Sequence, residues 1–114
     1  MMKASIRQIN GITVVDLSGL ITLEQGSTVL RDTVRQLLDR GQKKILLQMG
    51  EITAIDSSGI GELVNAYTTV RGQGGELKLL NLSEKVQDLL QITKLHTVFD
   101  ISGEEAAALA SFSA

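Results

Sequence analysis

Length, composition and charge limit what this chain can be. Its 114 residues suggest one domain, and 43% hydrophobic with 21% charged residues is typical of a soluble globular protein. Aromatic residues make up only 3%, so aliphatic side chains must build the core. The lack of cysteine excludes disulfides, thiolate catalysis and a cysteine-based zinc site. A formal net charge of −2 provides no electrostatic attraction to nucleic acid or anionic lipid.

The amino-terminal stretch does not resemble a targeting segment. MMKASIRQIN lacks the apolar run of a signal peptide, and no segment reaches the length of a transmembrane helix. We therefore expect a cytoplasmic protein without membrane insertion and without direct binding to nucleic acid.

The first third of the chain predicts a hairpin followed by a helix. Asn10 and Gly11 both tolerate the positive φ of a type I′ turn between SIRQI and ITVVDLS, which leads to Gly19. Ser27 is a plausible N-cap for a helix whose apolar residues recur at helical spacing. Gly41 is a natural end for this helix.

The rest of the chain alternates strands with helices. KKILLQM, bounded by charge and by Gly50, predicts a strand buried on both faces. A second helix ends at GQGG, ELKLLNL predicts a strand, and Ser83 begins a third helix. TVFDIS predicts a short last strand, and GEEAAALASF predicts a last helix. The order ββαβαβαβα predicts one α/β domain over residues 1–114, with a mixed, mostly parallel sheet, an N-terminal hairpin and about four flanking helices.

The stretch AIDSSGIGELV places two serines where a predicted strand passes into a helix. Backbone N–H groups at such a helix start attract anions, and Asp56 or Ser57 is an ordinary helix cap. A nucleophilic Ser57 would need a base, but nothing places the lone His96 near it and the G-x-S-x-G pattern is missing. We therefore expect no catalytic residue. Gly59 and Gly61 allow a close approach, either of the chain's own sheet or of a partner's backbone.

Other binding chemistries find little support in the sequence. SSGIGE lacks the lysine and the spacing of a P-loop, and no His, Asp and Glu residues have metal-ligand spacing. Asp32 and Asp39 interrupt a modest basic group, which favours a solvated face over a nucleic-acid site. We therefore expect no cofactor and no metal, and the residues do not establish nucleotide binding.

Four stretches of the chain together resemble the STAS domain family, and in particular its stand-alone anti-sigma-factor antagonists. They are VVDLSGLI, KKILLQMGEITAIDSSGIGELVNAY, VRGQGGELKLLNLSEKVQDLLQITKL and VFDIS, which cover nearly the whole chain. The Asp-Ser-Ser-Gly followed by Ile-Gly is the most diagnostic element. The resemblance implies a small α/β sandwich with helices beside a mixed sheet, which agrees with the order of elements above.

The resemblance implies a regulatory switch rather than an enzyme. In the family, an anti-sigma factor that is also a serine kinase phosphorylates the serine after the aspartate, which here is Ser57. The unphosphorylated antagonist binds the anti-sigma factor and frees the sigma factor, and a PP2C-type phosphatase resets the cycle. We therefore predict transcription regulation by partner switching. The predicted contact surface comprises Thr22, Glu24, Asp56, Ser57, Ser58, Gly59, Gly61, Glu62 and Asn65.

Two positions depart from the family pattern. Phosphorylated members usually carry an acidic residue three positions after the glycine that follows the second strand, where this chain has Thr22, with Glu24 two residues on. Lys94 stands where glycine is common. Thr22 favours the alternative of a non-phosphorylated STAS subunit. Such a subunit acts as a scaffold or as an accessory protein of a transporter or a stress-signalling complex.

Overall fold

The chain alternates strands and helices in the predicted order. The computed structural model describes residues 2–23 and 25–112, and over these it contains five strands, four α-helices and one 3-10 turn. The strands are β1 (Lys3–Ile9), β2 (Ile12–Ile21), β3 (Lys44–Ile55), β4 (Glu76–Leu80) and β5 (Ile101–Ser102). The helices are α1 (Ser27–Asp39), α2 (Ser57–Gly72), α3 (Glu84–Ile92) and α4 (Glu105–Ala110), and the 3-10 turn is Leu95–Thr97. The predicted order ββαβαβαβα is confirmed.

The five strands form one mixed sheet in the order β1-β2-β3-β4-β5. β1 and β2 are antiparallel, whereas β2 to β5 run parallel to one another. The predicted hairpin turn is present, because Asn10 and Gly11 have φ values of 52° and 81°. β2 and β3 pair as far as Ile21 and Ile55, so the loop after β2 lies beside the start of α2.

The two faces of the sheet pack against different helices, since successive strand residues point to opposite sides. Helices α1 to α3 cover one face and form the larger core, which includes Leu47 of β3, Leu63 of α2 and Val86 of α3. Helix α4 covers part of the other face, where Ala108 packs in one cluster with Leu46. The first half of β3 is therefore buried on both faces, which confirms the interpretation of KKILLQM.

Two strand ends differ from the sequence prediction. β3 does not end at Gly50 but continues to Ile55, because β2 extends beside it and pairs as far as Ile21. β4 ends at Leu80, two residues earlier than ELKLLNL predicts. Asn81 follows with a left-handed φ of 56°, which breaks the extended conformation of the strand.

The prediction that Ser27 caps α1 is wrong by one residue. The N-cap is Gly26, with a φ of 91°, and Ser27 is the first helical residue. A Cβ at position 26 would overlap the backbone oxygen of Leu20, so only glycine fits this approach. The hydroxyl of Ser27 instead donates to the backbone oxygen of Thr22 at 2.8 Å.

The last strand is shorter than TVFDIS predicts. Lys94, with a φ of 61°, leads into the 3-10 turn Leu95–Thr97, and only Ile101–Ser102 pairs with β4. Phe99 turns into the larger core instead, where its ring meets Tyr67 edge-on with centroids 5.3 Å apart. The competition between strand pairing and burial of this aromatic ring is not visible in the local sequence.

Candidate functional site

Ser57 is an exposed residue at the first position of α2, the helix that begins directly after the central strand β3. Its hydroxyl is therefore accessible to another macromolecule. Ser58, the next residue, is half-buried. Of the two serines, Ser57 is the better placed to be reached from solution.

Asp56 caps α2 and also binds the loop that follows β2. Its Oδ1 accepts from the backbone N–H of Gly59 at 2.9 Å, and its Oδ2 accepts from the backbone N–H of Leu23 at 3.1 Å. The backbone N–H of Asp56 itself donates to the oxygen of Ile21 at 3.3 Å. These donors, Gly59 first and Leu23 second, lower the pKa of the Asp56 carboxyl. Asp56 rather than Ser57 is thus the helix cap.

The loop between β2 and α1 is closed by its own hydrogen bonds. The hydroxyl of Thr22 accepts from the backbone N–H of Gln25 and donates to the backbone oxygen of the same residue, both at 3.2 Å. The hydroxyl of Ser27 reaches back to the backbone oxygen of Thr22. Leu23 follows Thr22 in this loop, and 75% of it is exposed. The described part of the loop therefore presents an exposed apolar side chain next to backbone groups that are hydrogen-bonded.

The two glycines at the start of α2 have different surroundings. A Cβ on Gly59 would overlap the backbone oxygen of Ile21 and Cγ1 of Ile55, so Gly59 allows the helix to approach the sheet closely. A Cβ on the exposed Gly61 would meet no described atom within 4 Å beyond its neighbours and the backbone of its own helix. Close approach to the chain's own sheet is therefore the role of Gly59, and the open face at Gly61 is available to a partner.

Glu62 links α2 to α1 through an ion pair. Its two carboxylate oxygens accept from Nε and Nη2 of Arg31, each at 3.2 Å, and Oε1 also accepts from Nδ2 of Asn65 at 3.2 Å. This hydrogen bonding raises the pKa of Arg31. Glu62 is only 8% exposed. Together with its partners Arg31 and Asn65, it lines a shallow groove between the two helices.

The structure places the described residues of the predicted contact surface in the loop after β2, at the start of α2 and along that helix as far as Asn65. They differ in exposure: Ser57, Gly61 and Asn65 are exposed, Thr22, Asp56 and Ser58 are half-buried, and Gly59 and Glu62 are buried. Glu24 lies outside the described residues. The sequence did not predict that Leu23 and Arg31 lie at this site, where they bind Asp56 and Glu62. Leu23 could have been noticed as an apolar residue beyond a strand end, whereas the pairing of Arg31 has no sequence signal.

Neither a metal site nor a serine–histidine pair forms in the described part of the chain. No group of three or more His, Asp or Glu residues there could hold a metal ion. His96 is exposed in the turn that precedes β5. Because β5 runs parallel to β3, the turn before β5 lies at the opposite end of the strands from Ser57, which follows the end of β3, and the geometry of a nucleophile with its base is not present. None of the described helices is long and apolar enough to cross a bilayer.

Comparison with known proteins identifies the family. The model of the STAS domain matches residues 3–108. The chain belongs to the STAS domain family. The anti-sigma-B factor antagonist of Bacillus subtilis (strain 168) is 31% identical to this STAS domain over 103 residues, which cover 90% of this chain and 93% of that protein. The resemblance inferred from the motifs is therefore confirmed.

Solved structures share the fold of this STAS domain. The anti-sigma factor antagonist from Mycobacterium paratuberculosis has a TM-score of 0.87 at 15% identity, covering 98% of this chain and 94% of that chain. The Bacillus cell fate determinant SpoIIAA in its phosphorylated form has a TM-score of 0.73 at 18% identity, covering 95% of this chain and 97% of that chain. At these identities the likeness concerns the fold, a five-stranded mixed sheet with flanking helices.

Proposed function

We propose that this STAS domain is an anti-sigma-factor antagonist whose binding is controlled by phosphorylation of Ser57. The observation that carries the proposal is the exposed hydroxyl at the first position of α2, which does not cap the helix because Asp56 does. The name of the Bacillus subtilis relative, an anti-sigma-B factor antagonist, supports the role. In this scheme the protein is not an enzyme, and it binds an anti-sigma factor that is also a serine kinase.

In the proposed cycle, one contact surface alternates between an unphosphorylated and a phosphorylated state. The unphosphorylated protein binds the anti-sigma factor, phosphorylation of Ser57 releases it, and a PP2C-type phosphatase restores binding. The proposed contact surface comprises Thr22, Asp56, Ser57, Ser58, Gly59, Gly61, Glu62 and Asn65, together with Glu24, which lies outside the described residues. Within it, Gly59 allows α2 to approach the sheet closely, and Glu62 accepts a hydrogen bond from the exposed Asn65.

The phosphate would act on the interface rather than on the fold. It adds roughly −1.5 to −2 charges at neutral pH. At a helix N-terminus the dipole favours this charge by about 0.3–1 kcal/mol, and the neighbouring carboxylate of Asp56 opposes it by a similar amount. Like charges placed together across an interface cost several kcal/mol, and every ~1.4 kcal/mol is a tenfold change in affinity. The partner can therefore be released while the domain stays folded.

Titration against the anti-sigma factor kinase of the same genome tests the proposal. We expect Ser57→Ala to bind as tightly as the wild type and Ser57→Asp to bind at least about tenfold more weakly. After incubation with the kinase and ATP, intact mass should show one phosphate on the wild type and on the control Ser58→Ala, and none on Ser57→Ala. A Ser57→Asp variant with wild-type affinity would contradict the mechanism.

A second candidate function rests on Thr22. Its hydroxyl is engaged by the backbone of Gln25 and carries no charge, at a position where phosphorylated members of the family usually carry an acid. This favours a STAS subunit that is never phosphorylated and serves as a scaffold or as an accessory protein of a transporter or stress-signalling complex. A persistent lack of phosphate adduct in the kinase assay, together with wild-type binding by Ser57→Asp, would favour this alternative.

A further inference from the structure

Leu23 is a large apolar side chain exposed beside the proposed phosphorylation site. It is 75% exposed in the loop between β2 and α1, and the N–H of the same residue binds the aspartate that precedes Ser57. Val29, on the first turn of α1 directly after this loop, is a second exposed apolar side chain, at 40%. An isolated exposed leucine is ordinary on a protein surface, but the backbone N–H of this one is hydrogen-bonded to the residue that caps α2.

The position of Leu23 is set by one carboxylate. Oδ2 of Asp56 accepts from the backbone N–H of Leu23 at 3.1 Å, while Oδ1 accepts from that of Gly59 at 2.9 Å. The hydroxyl of Thr22 closes the same loop onto Gln25. The loop tip and the first turn of α2 are therefore held together before any partner arrives. Binding then loses less conformational entropy than it would with a mobile loop.

We propose that Leu23 is the apolar anchor of the contact surface, inserting into an apolar pocket of the anti-sigma factor, and that Asp56 is the residue that positions it. This inference rests on the proposed function, because it concerns the same surface. Interface energy concentrates in a few desolvated residues, and the contacts around them contribute little energy of their own but exclude water. Leucine is less common in this role than tryptophan, tyrosine or arginine, and it is the location and the exposure of Leu23 that favour it here. Ser57 directly follows Asp56, whose carboxylate binds the N–H of Leu23, so a phosphate on Ser57 would add charge close to the segment that carries the anchor.

Alanine substitution of two equally exposed residues tests the anchor. Ile92, the last residue of α3, is 78% exposed and lies towards the opposite end of the strands from Ser57, so it is the matched control. In a titration against the anti-sigma factor kinase of the same genome, Leu23→Ala should weaken binding at least about tenfold. Ile92→Ala should bind as the wild type does. Wild-type affinity for Leu23→Ala, or an equal loss for both variants, overturns the anchor.

Asp56→Asn separates the positioning of Leu23 from the capping of α2. Asparagine is as good an N-cap as aspartate, so its oxygen can still accept from Gly59. Its second polar group is an NH₂ donor, which cannot accept from the N–H of Leu23. In the free protein we expect the Leu23 amide to exchange with solvent at least about tenfold faster and the Gly59 amide to be unchanged. Unchanged exchange at Leu23 overturns the positioning role.

A double variant tests whether Asp56 acts on the partner through Leu23. If it does, Asp56→Asn alone should weaken binding, and Asp56→Asn combined with Leu23→Ala should bind no more weakly than Leu23→Ala alone. Independent, additive losses would show that Asp56 acts on the partner by another route, and the positioning role would be wrong.

The anchor and the proposed function fail in distinguishable ways. If Ser57→Asp loses the partner and Leu23→Ala retains it, the antagonist function stands and the anchor is wrong. If the wild type binds none of the anti-sigma factors of its genome, the proposed function is wrong and the anchor fails with it. The exchange of the Leu23 amide in Asp56→Asn reports on the positioning role in either case, because it needs no partner.

Discussion

Asp56 joins two segments of the chain because a carboxylate has two acceptor oxygens and each of them meets a backbone N–H. One belongs to Gly59 in its own helix and the other to Leu23, thirty-three residues earlier in the chain. Asp56, which the sequence suggests only as a helix cap, therefore also makes a tertiary contact. The charge of this side chain makes the contact sensitive to pH.

We expect the stability of the protein to fall in acid partly through Asp56. The pKa of this carboxyl lies below its ordinary value of 3.8, so its contribution is complete above about pH 4 and is lost as the pH falls through the lowered pKa. The unfolding midpoint of the wild type should therefore drop more steeply below about pH 4 than that of Asp56→Asn, which does not titrate there. Thermal unfolding at stepped pH measures this, and parallel curves would count against it.

Alanine at the two glycines of α2 should have opposite effects on stability. Gly59→Ala forces a methyl group into the backbone of Ile21, so we expect a loss of about 1–3 kcal/mol. Gly61→Ala meets no described atom within 4 Å beyond its neighbours and the backbone of its own helix, and it restricts the unfolded chain, so we expect a gain of about 0.5–1 kcal/mol. Urea unfolding of both variants distinguishes them. Changes of the same sign would show that the environments are not as described.

At the scale of elements, helix α4 depends on contacts at both of its ends. Near its start, Arg7 bridges Oε1 of Glu105 and Oδ2 of Asp16, each at 2.6 Å. Beyond its end, Nζ of Lys78 donates to the backbone oxygen of Ser111 at 2.8 Å. A helix of six residues is not stable alone in water, so its helicity follows from this docking and from its apolar face.

Removal of the Arg7 charge should loosen α4 more than it destabilises the whole domain. Arg7→Met keeps an apolar stem but loses both ion pairs, and partly exposed pairs contribute about 1 kcal/mol or less. We expect a small loss of global stability together with faster amide exchange in α4. Arg40→Met, on the exposed end of α1, is the control. Exchange in α4 that is the same for both variants would refute the proposed dependence.

The order and type of the elements were predictable because their signals are local. Turn residues such as Asn10 and Gly11, and apolar periodicity along each helix, act over a few positions. The end of β3 and the cap of α1 could not be predicted, because each depends on a contact with another part of the chain. The end of β3 depends on β2, which pairs with it beyond Gly50. The backbone of Leu20 leaves room at position 26 for glycine alone, so Gly26 becomes the cap.

The same distinction holds for the site. Asp56 and Ser57 are adjacent in the sequence, and their role at a strand-to-helix junction could be predicted from the pattern around them. The contact of Leu23 with Asp56 joins positions 33 residues apart, and the pair of Arg31 with Glu62 joins positions 31 residues apart. No periodicity or motif links such positions, so the loop and the ion pair had to be seen in three dimensions.

At the scale of the whole molecule, the two hydrophobic clusters lie on opposite faces of the same three strands, β2, β3 and β4. Leu46 and Leu47 are neighbours in β3 and both are fully buried, but they belong to the clusters on opposite faces of the sheet. The small cluster under α4 and the large one under the other helices are thereby coupled through the backbone of β3.

This coupling predicts the unfolding of two adjacent variants. We expect Leu46→Ala and Leu47→Ala each to lose about 2–5 kcal/mol, as large-to-small changes in a core do. Each should still unfold in a single transition, with helix content by circular dichroism and the emission of Tyr67 changing together. An early, separate transition in Leu46→Ala would show that the α4 face melts independently.

The unbroken run of β3 into α2 has a consequence for timing. Twelve residues of central strand end at Ile55, and Ser57 already begins the next helix, with only the capping aspartate between them. No loop of several residues separates Ser57 from the central strand, so a docking enzyme meets this serine in the conformation that it has in the folded domain. In the proposed switch, the response time is then set by how fast kinase and phosphatase arrive and turn over, because the antagonist has nothing to refold.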